Sequence, residues 1–186
     1  EKLGKRLGIR TYDEDIADLA ARRSGIRKDY FEKVDEKPTD SFLYMLAMNT
    51  FTMNTSMNPF ENTLSSDKLF NKQAEVIQEI ADENDCIIIG RCAGYILRDE
   101  PKCVKVYISA DKDFRTKRIM ASDHLDEKEA QKKIHSMDKK RDSYFGYYAG
   151  QDWEACHTYD LSISTSSLGI DKAVDLICQY IDIKFK

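Results

Sequence analysis

The sequence feature that most constrains the fold is an apolar run, Cys86-Ile87-Ile88-Ile89, followed directly by Gly90 and Arg91. The run predicts a strand over 86–90 that is buried on both faces, as in a parallel sheet covered by helices. Ligands of open parallel sheets bind beyond the carboxyl ends of the strands, where the guanidinium of Arg91 can bind a phosphate or carboxylate with two hydrogen bonds. The alternative, an ordinary surface cation in a loop, is equally consistent with this segment taken alone.

Strand-like and helix-like segments alternate along the rest of the chain. Short apolar or period-2 segments predict further strands at 9–12, 104–109 and 159–164. Apolar residues at helical spacing predict helices at 3–7, 14–23, 67–83, 93–97, 111–121, 126–144 and from 170 onward. This alternation indicates βαβ units and a mostly parallel, doubly wound sheet.

Several helix ends carry recognisable capping residues. Gly8 is predicted to end the first helix, and Gly169 to precede the last one. Asp111 is predicted to cap the helix that starts there, and Asp126 with Glu129 has the form of a capping box.

Residues 26–66 have a weaker pattern than the rest of the chain. A helix is expected to begin near Thr39 or Asp40. The stretch 49–66 is rich in Asn, Thr, Ser and Met and predicts a loop. Long irregular segments in a compact domain are usually functional or mobile.

Length and composition indicate a single globular domain. The 186 residues include 41% hydrophobic and 33% charged residues, and no apolar run approaches the roughly 18 residues of a membrane span. Five cysteines without a C-x-x-C pair favour reduced thiols and a cytoplasmic protein, and the three histidines lack the spacing of a zinc site. The net charge of −4 argues against general nucleic-acid binding.

Positive charge is concentrated in one segment. Residues 112–141 hold ten Lys or Arg and six Asp or Glu, a balance of +4, whereas the rest of the chain carries −8. A basic segment on an acidic protein suggests a small anionic ligand rather than a polyanion. A solvated helix with interleaved ion pairs explains the same counts and is favoured on charge alone.

Charged and polar residues follow several of the predicted strands. Asp13 follows 9–12, and Arg115 and Arg118 share a face of the helix that comes after 104–109. The last strand leads into Ser164–Gly169, a polar loop at a helix N-terminus that can bind the edge of a ligand through its backbone.

The chain resembles the cytidylate kinase-like proteins, relatives of bacterial cytidylate kinase, over nearly its whole length. The segments that carry the resemblance are Leu7-Gly8-Ile9-x-x-Tyr12-Asp13, Ser41-Phe42-Leu43-Tyr44, Gln73-x-x-Val76-Ile77-x-x-Ile80-Ala81, Ile89-Gly90-Arg91-Cys92-Ala93-x-Tyr95-Ile96-Leu97, Asp138-Lys139-Lys140-Arg141-x-x-Tyr144, Tyr147-Tyr148-x-Gly150-x-x-Trp153, Tyr159-Asp160-Leu161 and Leu168-Gly169-Ile170-Asp171. Each is weak alone, but the combination is specific.

The resemblance implies an α/β fold of the P-loop nucleoside monophosphate kinase type, a three-layer doubly wound parallel sheet within one domain over 1–186. Residues 26–66 would form the acceptor-binding region, and 112–150 a helical lid. The implied activity is transfer of a phosphoryl group from ATP, with Mg²⁺, to a nucleoside monophosphate. CMP or dCMP is the leading candidate for this acceptor. Small nucleotides would be the partners, with neither nucleic acid nor membrane involved.

The same resemblance assigns roles to individual residues. Arg91 would hold the phosphate of the acceptor, with Asp13 and Asp138 on the acceptor side. The catalytic cations of the lid would be Arg115, Arg118 and Arg141, which stabilise the transferring phosphoryl group. The residues near the adenine of ATP would be Thr165, Ser166, Leu168 and Gly169. No residue is assigned to a metal.

One departure from the family pattern is large. Members begin with a strand and a glycine-rich phosphate-binding loop, whereas this chain starts at Glu1 and contains no such motif. Either residues upstream of Glu1 supply the strand and loop, which we expect because a missing central strand leaves backbone groups unpaired, or the protein lacks them and is inactive.

Two other functions stay open on the sequence. The protein could phosphorylate a different small metabolite, since residues 26–66 depart most from bacterial cytidylate kinase. It could also bind nucleotides without catalysis, which a genuine absence of the glycine-rich loop would favour.

Overall fold

The computed structural model describes residues 1–13, 15–24 and 59–186, with side chains from residue 67 onward in the last range. The helices α1 to α8 are Lys2–Leu7, Asp15–Ser24, Pro59–Glu83, Ala93–Ile96, Lys112–Asp123, Glu127–Ala149, Thr165–Leu168 and Ile170–Lys184. The strands β1 to β4 are Arg10–Tyr12, Cys86–Ile88, Val106–Ser109 and Leu161–Ser164. A 3₁₀ turn, Cys156–Thr158, precedes β4.

The strands form two separate parallel pairs. Strand β1 pairs with β2, with Tyr12 opposite Ile88, and β3 pairs with β4, with Val106 opposite Leu161. The predicted α/β architecture with parallel strands is confirmed at this level. Among the described residues β2 and β3 are not paired with each other, so the two pairs form two sheets instead of one continuous sheet.

Each sheet has its own apolar core. The larger core lies between α2, α3 and α4, with Ile16, Ala20 and Ile77 completely buried. The smaller core packs α8 against β4 through Ile163 and Ile177. The spacing of these residues along their helices is the amphipathic pattern seen in the sequence.

Helix α1 joins the two sheets at one end. Gly4 packs so closely on β1 that an added methyl group would lie 2.9 Å from the carbonyl oxygen of Ile9, and Leu3 packs on the core of the second sheet. Exposed ion pairs from Lys2 to Asp171 (2.6 Å) and from Arg6 to Asp175 (3.2 Å) connect α1 with α8. The close packing at Gly4 determines the position of α1, because exposed ion pairs contribute little.

Most of the predicted caps are present. The backbone of Gly8 is left-handed (φ 69°) and its N–H donates to the carbonyl of Gly4. Asp126 and Glu129 form both hydrogen bonds of a capping box. Asp111 occupies the N-cap position of α5, but its side chain makes no capping hydrogen bond.

Two expectations about regular structure were wrong. The predicted loop 49–66 is helical from Pro59 onward, because proline is well suited to the first position of a helix, where its missing N–H is not needed. The predicted helix near Thr39 and the remainder of 26–58 lie outside the described residues.

The second correction concerns the apolar run 86–90. Cys86–Ile88 is only half-buried and Ile89 is 42% exposed, so this strand is not buried on both faces. The edge of β2 that faces away from β1 has no partner strand among the described residues, and it opens into a cleft.

Within the described ranges, no helix combines the length and the apolar composition that crossing a membrane requires.

Candidate active site between the two sheets

A cleft of about 2360 Å³ separates the two sheets. Its walls include apolar residues of both strand regions, among them Ile87, Ile89, Val106 and Ile108. Ile108 is 50% exposed, as expected for an apolar side chain at the border of an open space. Charged residues that follow the strands line the same cleft, so apolar and cationic surfaces adjoin there.

The wall beside β2 carries Arg91 on an unusual turn. Gly90, Arg91 and Cys92 all have left-handed backbones, with φ of 69°, 56° and 55°. The turn is held by hydrogen bonds from the amide of Ala93 to Gly90 and from that of Ile96 to Cys92, both 2.9 Å. A left-handed backbone costs a non-glycine residue about 1–2 kcal/mol, and such conformations concentrate at functional sites.

The wall beside β3 carries three arginines. Arg115 on α5 donates to Asp138 on α6 at 2.6 Å, and Arg141 lies 3.4 Å from the same carboxylate. This hydrogen bond to Asp138 raises the pKa of Arg115. Arg118 is exposed and lines the cleft one turn beyond Arg115, so the cations reach the cleft from two helices.

An aromatic group supports Arg141. Its guanidinium lies 5.7 Å from the ring centroid of Trp153, within the range of a cation–π contact. Trp153 packs edge-on against Tyr107 of β3, with the ring centroids 5.6 Å apart. No periodicity relates residues 107, 141 and 153, so the sequence does not indicate this support.

The segment after β4 differs from the predicted loop. Residues Thr165–Leu168 form a short helical turn, so the expectation of an irregular loop over Ser164–Gly169 was wrong. The hydroxyl of Thr165 donates to the carbonyl of Ser109 at 3.0 Å, and Ser166 accepts from the amide of Asp111 at 3.1 Å. These two contacts to the end of β3 favour a compact turn there.

Helix α6 crosses from one wall of the cleft to the other. Near its middle, Asp138 contacts Arg115 beside β3. About two turns further on, the hydroxyl of Tyr144 lies 3.4 Å from the side-chain oxygen of Gln73, in the core beside β2. Burial raises the pKa of Tyr144, so this hydroxyl stays protonated and can donate.

Stacked aromatic rings fix the end of α6 that lies on the β2 side. Tyr148 stacks on Phe70 with the ring centroids 3.8 Å apart, and Tyr144 meets both rings edge-on. Side chains of Arg91 and Tyr144 line the cleft together. Helix α6 thus connects the wall of Arg91 with the wall of Arg115.

The structure brings most of the predicted site residues to the cleft. Residues lining it include Asp13, Arg91, Arg115, Arg118, Arg141 and Thr165. Asp138 does not line the cleft, but it contacts Arg115 and Arg141, which do. Ser166, Leu168 and Gly169 are on the turn next to Thr165 and do not line the cleft. Lys140 and Glu154 also line it, although neither was assigned a role from the sequence.

Cys92 lies at this site, and its burial predicts that its thiol reacts slowly with alkylating reagents. Burial raises the pKa of its thiol to about 12, so the reactive thiolate is scarce at pH 8 and becomes common only as the pH approaches that value. We expect iodoacetamide at pH 8 to label the exposed Cys156 first and Cys92 last, as followed by peptide mass spectrometry. Equal labelling rates in the folded protein would contradict this burial.

Two curated proteins that the chain resembles are cytidylate kinases. A cytidylate kinase from Saccharolobus islandicus is 25% identical over 123 residues, which cover 66% of this chain and 64% of the relative. One from Sulfolobus acidocaldarius is 29% identical over 110 residues, 59% of this chain and 60% of the relative. The chain therefore spans less than two thirds of the length of these curated relatives.

A solved structure and a family profile match more of the chain. The crystal structure of an uncharacterized protein from Eubacterium ventriosum has a TM-score of 0.69 and 30% sequence identity, and the match covers 97% of this chain and 88% of that one. The profile of the cytidylate kinase-like family matches residues 1–167. Since that match includes both sheets and every residue described at the cleft, the chain belongs to the cytidylate kinase-like family.

Proposed function

We propose that the protein transfers the γ-phosphoryl group of ATP to a nucleoside monophosphate, with CMP or dCMP as the first candidates. The observation that carries the proposal is the arrival of Arg91, Arg115, Arg118 and Arg141 at one cleft from three segments of the chain. Phosphoryl transfer needs positioned positive charge more than covalent chemistry, and arginine matches phosphate oxygens with paired hydrogen bonds.

The two walls have different roles in this proposal. Arg91 binds the phosphate of the acceptor, with Asp13 and Asp138 on the acceptor side. Arg115, Arg118 and Arg141 stabilise the charge that develops on the transferring group, from a helical lid within 112–150. The turn Thr165–Gly169 lies beside the adenine. Residues 26–66 recognise the acceptor.

The cationic side chains at this cleft are suited to binding ATP together with Mg²⁺. Its cations match a polyphosphate, and Mg²⁺ typically binds through phosphate oxygens with few protein ligands. Mg²⁺ supplies charge neutralisation between the phosphates when it is bound.

We further propose that a fifth strand and a glycine-rich loop, from residues upstream of Glu1, fill the space between β2 and β3 and join the sheets into one doubly wound, three-layer sheet. The support is local. Both facing strand edges are unpaired within the described ranges, and Ile89 and Ile108 are exposed beside them. Adjacent strands lie about 4.8 Å apart, so one strand can pair with both edges if β2 and β3 are separated by about twice that distance.

A coupled assay tests the proposed activity. ATP consumption is measured with CMP, dCMP, UMP, AMP and a panel of small alcohols, each with and without Mg²⁺. We expect turnover with CMP or dCMP that requires Mg²⁺. Turnover only with a different acceptor would replace the nucleotide assignment, and ATP-dependent thermal stabilisation without any turnover would indicate a non-catalytic nucleotide-binding protein.

The fifth strand is tested separately by the intact mass of the protein isolated from its natural source. We expect a mass larger than that of the 186 residues, with an upstream segment that contains a short apolar strand and closely spaced glycines. A mass equal to that of the 186 residues would exclude the upstream strand.

A further inference from the structure

Two arginines converge on one carboxylate oxygen at the edge of the cleft. The Nη2 atom of Arg115 lies 2.6 Å from Oδ1 of Asp138, and the Nη1 atom of Arg141 lies 3.4 Å from that same oxygen. Arg115 reaches it from α5, and Arg141 from the next turn of α6. The position of this oxygen is therefore a point that two guanidinium groups from separate helices can reach together.

Asp138 offsets positive charge that would otherwise face the cleft. Arg115 and Arg141 line the cleft, and Asp138 pairs with both from the side of α6. With the carboxylate in place the three side chains carry a net charge of +1, and without it they carry +2. An anion that binds Nη2 of Arg115 or Nη1 of Arg141 competes with Asp138 for those two nitrogen atoms.

We propose that Asp138 is an internal competitor, which holds Arg115 and Arg141 together until an oligophosphate takes the place of its carboxylate oxygen. The inference rests on the proposed function in one respect: it describes how the arginines assigned to phosphoryl transfer are kept in place before substrate binds. The chemical class of the displacing ligand is an anion with several phosphoryl oxygens.

The surroundings of the three side chains make the exchange feasible. Arg115 and Asp138 are 32% and 25% exposed, so water reaches the pair and weakens it. A phosphate group carries more negative charge than a carboxylate and offers more acceptor oxygens. Arg141 also contacts the ring of Trp153, so this arginine stays positioned when its ion pair with Asp138 breaks.

The released carboxylate is then free to accept hydrogen bonds from another ligand. This reconciles the ion pairs in the structure with the acceptor-side role proposed for Asp138. The arginines bind phosphate while Asp138 turns to the acceptor.

The test compares Asp138→Asn with Asp142→Asn. Asp142 is exposed on the next turn of α6, so its replacement removes one negative charge at a similar place in the chain. Inorganic pyrophosphate is titrated into each protein without nucleotide at low salt. The readout is the fluorescence of Trp153, the single tryptophan, which lies beside Arg141.

We expect Asp138→Asn to bind pyrophosphate roughly three- to tenfold more tightly than the original protein, because the competitor is gone. Asp142→Asn should change the affinity less than twofold. Unchanged or weaker binding by Asp138→Asn would overturn the proposal, since a carboxylate that merely orients the arginines would leave the site worse when removed. If Asp138→Asn does not fold, as judged by circular dichroism, Asp138→Ser serves as the second variant.

The outcome is separable from that of the kinase assay. Tighter pyrophosphate binding by Asp138→Asn together with no phosphoryl transfer would retain the internal competitor and reject the proposed function. Phosphoryl transfer to CMP together with unchanged pyrophosphate affinity of Asp138→Asn would retain the proposed function and reject the internal competitor.

Discussion

Replacing Arg91 by methionine is expected to lower kcat/KM for ATP-dependent phosphorylation of CMP by about 10²-fold or more. Methionine keeps the length and apolar stem of the side chain but removes the charge and every N–H donor. Loss of one well-placed donor to a reacting anion typically costs 10²- to 10³-fold. The measurement is steady-state kinetics with the acceptor varied at saturating Mg·ATP.

The control for Arg91→Met is Arg22→Met. Arg22 is an exposed cation on α2 and does not line the cleft, so its loss changes the net charge by the same amount. We expect less than a twofold change in kcat/KM. If Arg91→Met retained more than half of the original kcat/KM, Arg91 would not bind the acceptor phosphate, and the acceptor side of the cleft would have to be reassigned.

Replacing Ile77 by alanine is expected to lower the free energy of unfolding by about 3–4 kcal/mol. Ile77 is completely buried between α2, α3 and the strands of the first sheet, so truncation removes buried carbon atoms and leaves a cavity. The change is measured by urea denaturation followed by circular dichroism, with the m-value compared between the two proteins.

Ile183→Ala provides the matched control for stability. The same atoms are removed, but Ile183 is 79% exposed on α8. A change within about 0.5 kcal/mol is expected there. Equal effects of the two substitutions would contradict the position of the first core between α2 and α3.

Local signals in the sequence were enough to predict much of the regular structure. A glycine directly after a short helix, as at Gly8, commonly ends that helix, and the capping box of Asp126 and Glu129 requires only a spacing of three residues. The parallel pairing of strands followed from their alternation with helices. These features depend on neighbours in the chain, which a sequence displays directly.

Other features depend on residues that are distant in the chain, and sequence patterns do not encode them. The helical start at Pro59 was hidden by a polar composition that resembles a loop. The exposure of Ile89 depends on which strand lies beside β2 and not on the apolar run itself. The support of Arg141 by Trp153 brings together residues twelve apart across the end of a helix.

For predicting which residues meet at the site, their order along the chain was more informative than their spacing. Arg91, Asp13 and the arginines of α5 come after successive strands, and that order alone suggested a shared location. The identity of Asp138 as the partner of both Arg115 and Arg141 required coordinates, because the sequence offers several acidic residues nearby.

The separation of β2 from β3 has a consequence for solvent access. Amide hydrogens on the facing edges of these strands have no carbonyl partner in the described residues, so deuterium from the solvent should replace them within seconds. Amides inside α2 and α3, which surround the first core, should exchange far more slowly. Because Ile89 bonds toward β1 and Lys105 toward β4, the neighbouring amides of Ile88 and Ile108 face the open edges. The exchange rates at Ile88 and Ile108 would then report directly whether any segment has entered the space between the two sheets.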